Sequence, residues 1–186
     1  MIDYLPGTVL KFSEAIADNC YSVIEPLFAV TKGLTLSQVC DMTGLEATTI
    51  QNWVRRGWVK NPENKRYGEE QVMRIILINM MRGSMQMDQI TFLMSYINGS
   101  VEDRSDDILP DRELFNKLCS IIYVCSKNPV WDVESLEKVI YSKLEDVNIT
   151  DETSLNKLHT ALRAMVLAIL STQMRDLAQQ AFAQLQ

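Results

Sequence analysis

The sequence predicts an all-α fold with one small β-wing: a compact helix-turn-helix unit followed by a C-terminal helical bundle. Three observations carry this reading. Only 7 Gly and 5 Pro interrupt 186 residues, and apolar side chains recur at helical spacing over most of the length. Residues 58–67 break that pattern, with short apolar-and-basic ends flanking Asn61, Pro62 and Asn64, as a hairpin would. Residues 98–112 are rich in carboxylates (Glu102, Asp103, Asp106, Asp107, Asp111) and hold Pro110, which suggests a boundary between two parts.

The elements follow in order. Residues 1–33 form an N-terminal helical arm, with Phe12, Ala15, Ile16 and Cys20 at helical spacing and a second short helix at 25–31, where Pro26 sits. Thr35 and Gln38 make a capping-box pair, so a helix starts at 36; Gly44 stops it. A second helix spans 47–56 and ends at Gly57. After the predicted wing come helices at 69–82 and 87–97, completing a unit over 34–98. An acidic linker is expected at 99–112. The domain at 113–186 is read as a bundle of three helices, at about 111–126, 133–147 (with Asp132 as N-cap) and 154–184. Between 161 and 170 only Arg163 is polar, which predicts burial all round.

Composition bounds the function. Hydrophobic residues make up 47% and charged residues 23%, as in an ordinary globular protein. No apolar run is long enough for a membrane span, and the first residues carry no secretory signal pattern, so a cytoplasmic location without membrane contact is expected. Cys20, Cys40, Cys119 and Cys125 form no CxxC pair, and His159 is the single histidine. Free thiols are therefore expected, and no metal site. No phosphate-cradling loop, nucleophile elbow or paired-histidine motif is present, so neither catalysis nor a cofactor is expected. The net charge is −6, yet residues 48–67 hold Arg55, Arg56, Lys60, Lys65 and Arg66 against Glu63 alone. Duplex DNA needs a local positive potential of this kind, not a basic total.

The helix pair meets the requirements of a helix-turn-helix. Cys40 supplies a small residue where the helices cross, Gly44 tolerates the turn, and Val39, Leu45, Ile50 and Trp53 fall where locking residues belong. Thr48, Thr49, Gln51, Asn52 and Arg55 then present a polar face to a major groove. Gln and Asn can pair with adenine, and Arg with guanine. Arg55, Arg56, Lys60, Lys65 and Arg66 would grip phosphates, and Tyr67 is a candidate for stacking on the sugar edge. Trp53 and the methionines at 80, 81, 85, 87 and 94 read as core, and His159 as structural or solvated.

These residues resemble the MerR family of bacterial regulators. The resemblance rests on Leu36-Ser37-Gln38-Val39-Cys40-Asp41-Met42-Thr43-Gly44-Leu45, Thr49-Ile50 and Arg55-Arg56-Gly57-Trp58-Val59, followed by Lys65-Arg66-Tyr67, Glu69-Glu70-Gln71-Val72, Arg82-Gly83-Ser84-Met85 and Met87-Asp88-Gln89-Ile90. Ile50-Gln51-Asn52-Trp53-Val54-Arg55-Arg56-Gly57 with Lys65-Arg66-Tyr67 is similar to an uncharacterised bacterial family with a MerR-like core, known only as a domain of unknown function. The resemblance implies a winged helix-turn-helix that reads double-stranded DNA as a homodimer and regulates transcription. Gln51-Asn52 stands where MerR relatives usually carry Arg-Tyr, and the acidic stretch stands where their dimerising helix follows. The alternative is a protein–protein interaction module whose winged helix has lost DNA binding. A small-molecule effector pocket near Tyr123, Trp131 and Tyr141 is a further expectation.

Overall fold

The computed structural model describes residues 3–30, 32–99 and 107–185, and all regular structure within them is helical. The arm is less regular than its spacing suggests. Two 3-10 turns, Glu14–Ile16 and Cys20–Val23, precede a short α1 at Glu25–Val30. Thr31, the predicted last residue of that helix, lies outside the described residues. The arm is nonetheless fixed: Leu5, Cys20 and Ile24 are fully buried, and the Tyr21 amide donates to Asn116 Oδ1 at 2.9 Å.

Thr35 then opens α2 (Leu36–Thr43). Its Oγ1 accepts from the Gln38 amide at 3.3 Å, while Gln38 Oε1 accepts from the Thr35 amide at 2.9 Å. This is the capping box read from the sequence. Gly44 ends α2 at φ 68°, donating its N–H to the Cys40 carbonyl. A side chain there would be strained in φ, and its Cβ would meet Val9 Cγ1 at 3.1 Å. Helix α3 (Ala47–Arg55) follows after two residues, and Val39, Leu45, Ile50 and Trp53 are all buried, as locking residues must be.

The predicted β-wing is absent: among the described residues there is no strand. Residues 58–67 form a loop closed by one tight turn. Asn64 and Lys65 both take positive φ (49° and 62°), and the Glu63 and Arg66 amides and carbonyls bond each other at 2.8–3.0 Å. The turn chemistry was sound, but the ladder has nowhere to grow. Pro62 has no N–H to give. The Asn61 carbonyl accepts from the Gln71 side chain at 3.3 Å. Tyr67 pairs with Leu34, donating at 2.7 Å and accepting at 2.8 Å, so the second arm is committed to the entry of α2.

Helix α4 (Glu69–Met81) is the centre of the molecule, with residues 71–78 buried on every side. It packs against α2, α6 (Asp111–Lys127) and α8 (Glu152–Ala183). Helix α5 (Met87–Asn98) lies on α8, and α7 (Val133–Leu144) packs on both α6 and α8. Asp132 caps α7 as expected, accepting from the Ser135 amide, and Asp151 caps α8 through the Thr153 and Ser154 amides. One apolar core therefore runs from Leu5 to Ile169 without a break. Within 161–170 the expected burial all round does not hold: six residues are buried, Arg163, Ala164 and Leu170 are half-buried, and Leu167 is exposed.

The acidic stretch is only partly a surface feature. Glu102, Asp103 and Asp106 lie outside the described residues. Leu109 and Asp111 are buried, and Asp111 Oδ1 lies 3.4 Å from Arg74 Nη1, both side chains being only 4% exposed. Asn98, fully buried, donates from Nδ2 to the Leu109 carbonyl at 2.7 Å and to Asp111 at 3.3 Å, and accepts the Leu109 amide at 3.2 Å. This stretch thus stitches the two halves together. Asp111→Ala would take one carboxylate away from the buried Arg74 guanidinium, and breaking a buried ion pair costs about 3–5 kcal/mol. Urea unfolding should show that loss at unchanged m-value; a loss below about 1 kcal/mol would mean that Asp111 is not the partner that holds the guanidinium.

Candidate nucleic-acid interface

The spacing of α3 sets its faces. At 100° per residue, Thr48, Gln51, Asn52 and Arg55 fall at i, i+3, i+4 and i+7, and all four are exposed along one side. Ile50 and Trp53 occupy the other side and bury against α2. Thr49 is half-buried at the margin. Arg55 Nη1 donates to Asn52 Oδ1 at 3.1 Å. That bond ties the two side chains together and uses one lone pair of the amide oxygen, leaving its second lone pair and both Nδ2 hydrogens open to a further partner.

The remaining cations surround α3 in different ways. Arg56 is exposed, with its guanidinium 5.2 Å from the Trp58 ring. Gly57 at φ 73° reverses the chain directly after α3, which brings Trp58 back so that its amide donates to the Trp53 carbonyl at 3.0 Å. Lys60 is half-buried. Lys65 stands exposed at the tip of the tight turn, and Arg66, also exposed, donates to the Gly33 carbonyl at 3.0 Å.

Tyr67 does not belong to this surface. Only 4% of it is exposed, within the core beneath the entry of α2. Burial first, and then the neighbouring Cys40, push its phenol above the ordinary tyrosine range. A ring so placed packs and cannot stack on a nucleotide. Its position is set by its pairing with Leu34, which no local pattern announces.

A groove beside α3 has no counterpart in the sequence reading. It encloses about 620 Å³ between Gly57-Trp58 and α5, with Asp88, Thr91, Phe92 and Ser95 on the α5 side and Arg74 and Ile78 beneath. Phe92 is 64% exposed and stacks on Tyr96 at 5.8 Å. The available signal was the register of α5: 88, 91, 92 and 95 share one face. Elsewhere, Tyr123, Trp131 and Tyr141 do not converge. Tyr123 packs on Phe12 and donates to Glu14, Tyr141 stacks on His159 at 4.0 Å, and Trp131 is exposed. His159 is buried, with Nε2 3.0 Å from Glu137 Oε2, so it is structural and not solvated. The four cysteines are free, and three of them are buried. Among the described residues no cluster of His, Cys, Asp or Glu is placed to hold a metal ion.

The fold and this surface define an all-helical protein whose concentrated cations flank an exposed polar helix face. The chain belongs to the family described as "Domain of unknown function (DUF1836)", whose model matches residues 22–118. That span starts in the second 3-10 turn and ends inside α6, so it takes in α2, α3 and the Asp111 junction. Over 78 residues the chain is 30% identical to "Uncharacterized protein YkrK" of Bacillus subtilis (strain 168), a match over 40% of this chain and 34% of that protein. The chain thus spans about a third of that relative's length. No solved structure matches the chain.

The raised Tyr67 ionisation has a consequence for stability. A folded-state value above the unfolded one stabilises fully below the unfolded value, near pH 10, and the gain is lost as pH rises through the folded value. Urea unfolding followed from neutral to strongly alkaline pH should show Tyr67→Phe losing less stability above about pH 10 than the parent. Identical alkaline slopes would place the phenol in water.

Proposed function

We propose that this chain is a transcription regulator that binds duplex DNA through the α2–α3 pair, with α3 as the reading helix. The observation that carries the proposal is the α3 face. Thr48, Gln51, Asn52 and Arg55 share one exposed stripe, on a helix whose other side is locked into the core. The resemblance of α2 and α3 to the MerR helix pair supports the same reading. Thr49 borders the stripe. Arg55, Arg56, Lys60, Lys65 and Arg66 supply phosphate contacts from the end of α3, the loop and the tight turn, without a β-wing. One module of this size buries little surface on DNA, so the active species is a homodimer with two reading helices.

Fluorescence anisotropy against genomic fragments, including the region upstream of its own coding sequence, tests the reading. Specific sites should bind in the range of about 10⁻⁸–10⁻¹¹ M. Replacing Arg55, Arg56 and Lys65 by Ala should weaken binding at least tenfold and make log Kobs against log salt shallower by about 2–3. Millimolar, salt-insensitive binding to every fragment, or a triple variant equal to the parent, would overturn it.

A further inference from the structure

The distal part of α8 is amphipathic in the wrong sense for its own chain. Ala168, Thr172 and Arg175 face the end of α4: the Ala168 carbonyl accepts from Ser84 Oγ at 2.6 Å, Thr172 lies against Gly83, and Arg175 Nη1 donates to the Gly83 carbonyl. At 100° per residue, Asp176, Gln179 and Phe182 continue that side; the first two are polar, and Phe182, 61% exposed, stands at its edge toward the apolar face. The opposite side carries Leu167, Leu170, Met174, Leu177, Ala178, Ala181 and Leu185. Leu167, Met174, Leu177 and Leu185 are 46%, 50%, 58% and 81% exposed. Residues 176–185 are all exposed, and the helix runs to Ala183, so about 12 Å of it extends past the last of these contacts. A helical end of that length is marginal in water unless its apolar face is covered.

We infer that this face pairs with the same face of a second copy, as a short antiparallel two-helix seam. Residues 167, 170, 174, 177 and 181 alternate in steps of three and four, the spacing of a helix-pairing seam. The face carries no charge: across 164–185 the charged residues are Arg175 and Asp176, off the seam and 3.4 Å from each other. A patch that meets itself across a two-fold axis must avoid facing like charges, and this one does. Size sets the direction. Antiparallel pairing places Leu170 opposite the second copy's Ala181 and Met174 opposite its Leu177, so each layer is filled evenly. Parallel pairing would stack leucine on leucine at one end and leave a gap between alanines at the other. A lipid surface is the poorer occupant, because the polar side offers Gln173, Asp176, Gln179 and Gln180 and no lysine. The seam lies outside the DNA-reading surface, and its test needs no DNA.

Light scattering after size exclusion of the full chain at micromolar concentration should give twice the chain mass of 21.3 kDa. Leu177→Glu should give the monomer mass, with helical circular dichroism reduced by no more than the loss of the α8 end. Gln179→Glu, the same charge on the other side of the same helix, should stay dimeric. A monomeric parent, a parent that co-sediments with phosphatidylglycerol vesicles, or a dimer that survives Leu177→Glu would overturn the seam. If Leu177→Glu fails to fold, Met174→Glu provides the same comparison. For the direction, Met174→Cys and Leu177→Cys proteins should form a disulfide-linked dimer only when mixed. Linked dimers from either protein alone would contradict the antiparallel arrangement.

Discussion

Two full turns of α4 have no water on any side, and everything polar within them must be answered from inside the protein. Arg74 is the severe case. A guanidinium cannot lose its proton, so its burial demands a carboxylate, and Asp111 at the first residue of α6 provides one. A carboxylate also suits the positive end of a helix. Asn98, at the last residue of α5, holds Asp111 and both backbone groups of Leu109. The end of α5, the start of α6 and the middle of α4 thus meet at one buried polar node. The pairing of α4 with α6 and α8 surrounds that node with apolar side chains from both halves of the sequence.

The exposed polar face of α3 depends on this arrangement at one remove. Helix α4 backs α2, and α2 backs α3. The arm and the loop are tied to the same frame: Asn79 Nδ2 donates to the carbonyls of both Gly7 and Thr43, and Gln71 holds the loop at Asn61. Long polar side chains on α3 therefore project from a rigid base, which is what base recognition demands. The charge distribution complements it. On the proposed function, a chain of net −6 would meet DNA only where its cations gather, at residues 48–67.

What the sequence made legible was local. Thr35 with Gln38, Gly44, Asp132 and the locking set Val39, Leu45, Ile50 and Trp53 act within a few residues of themselves, and each is found in its expected role. The α3 stripe is visible for the same reason, since a helical face follows from spacing alone. The misreadings share the opposite cause. The turn at Asn64-Lys65 is real, but Tyr67 was claimed by Leu34, a competitor far away in the chain, and the wing was lost with it. Asp111 looked like one more solvated acid because its partner, Arg74, sits in an earlier helix. For His159 the sequence left structural and solvated both open, because Glu137 and Tyr141, which decide for the first, lie on α7.

If the node at Arg74 joins both halves into one cooperative unit, opening either half must open the other. Native-state hydrogen exchange measures this directly. Amides at 71–78 of α4 and 161–169 of α8 should exchange only through global unfolding, with one shared free energy and one shared denaturant dependence. Two separable free energies, with α2–α5 opening while α6–α8 remains closed, would contradict a single core.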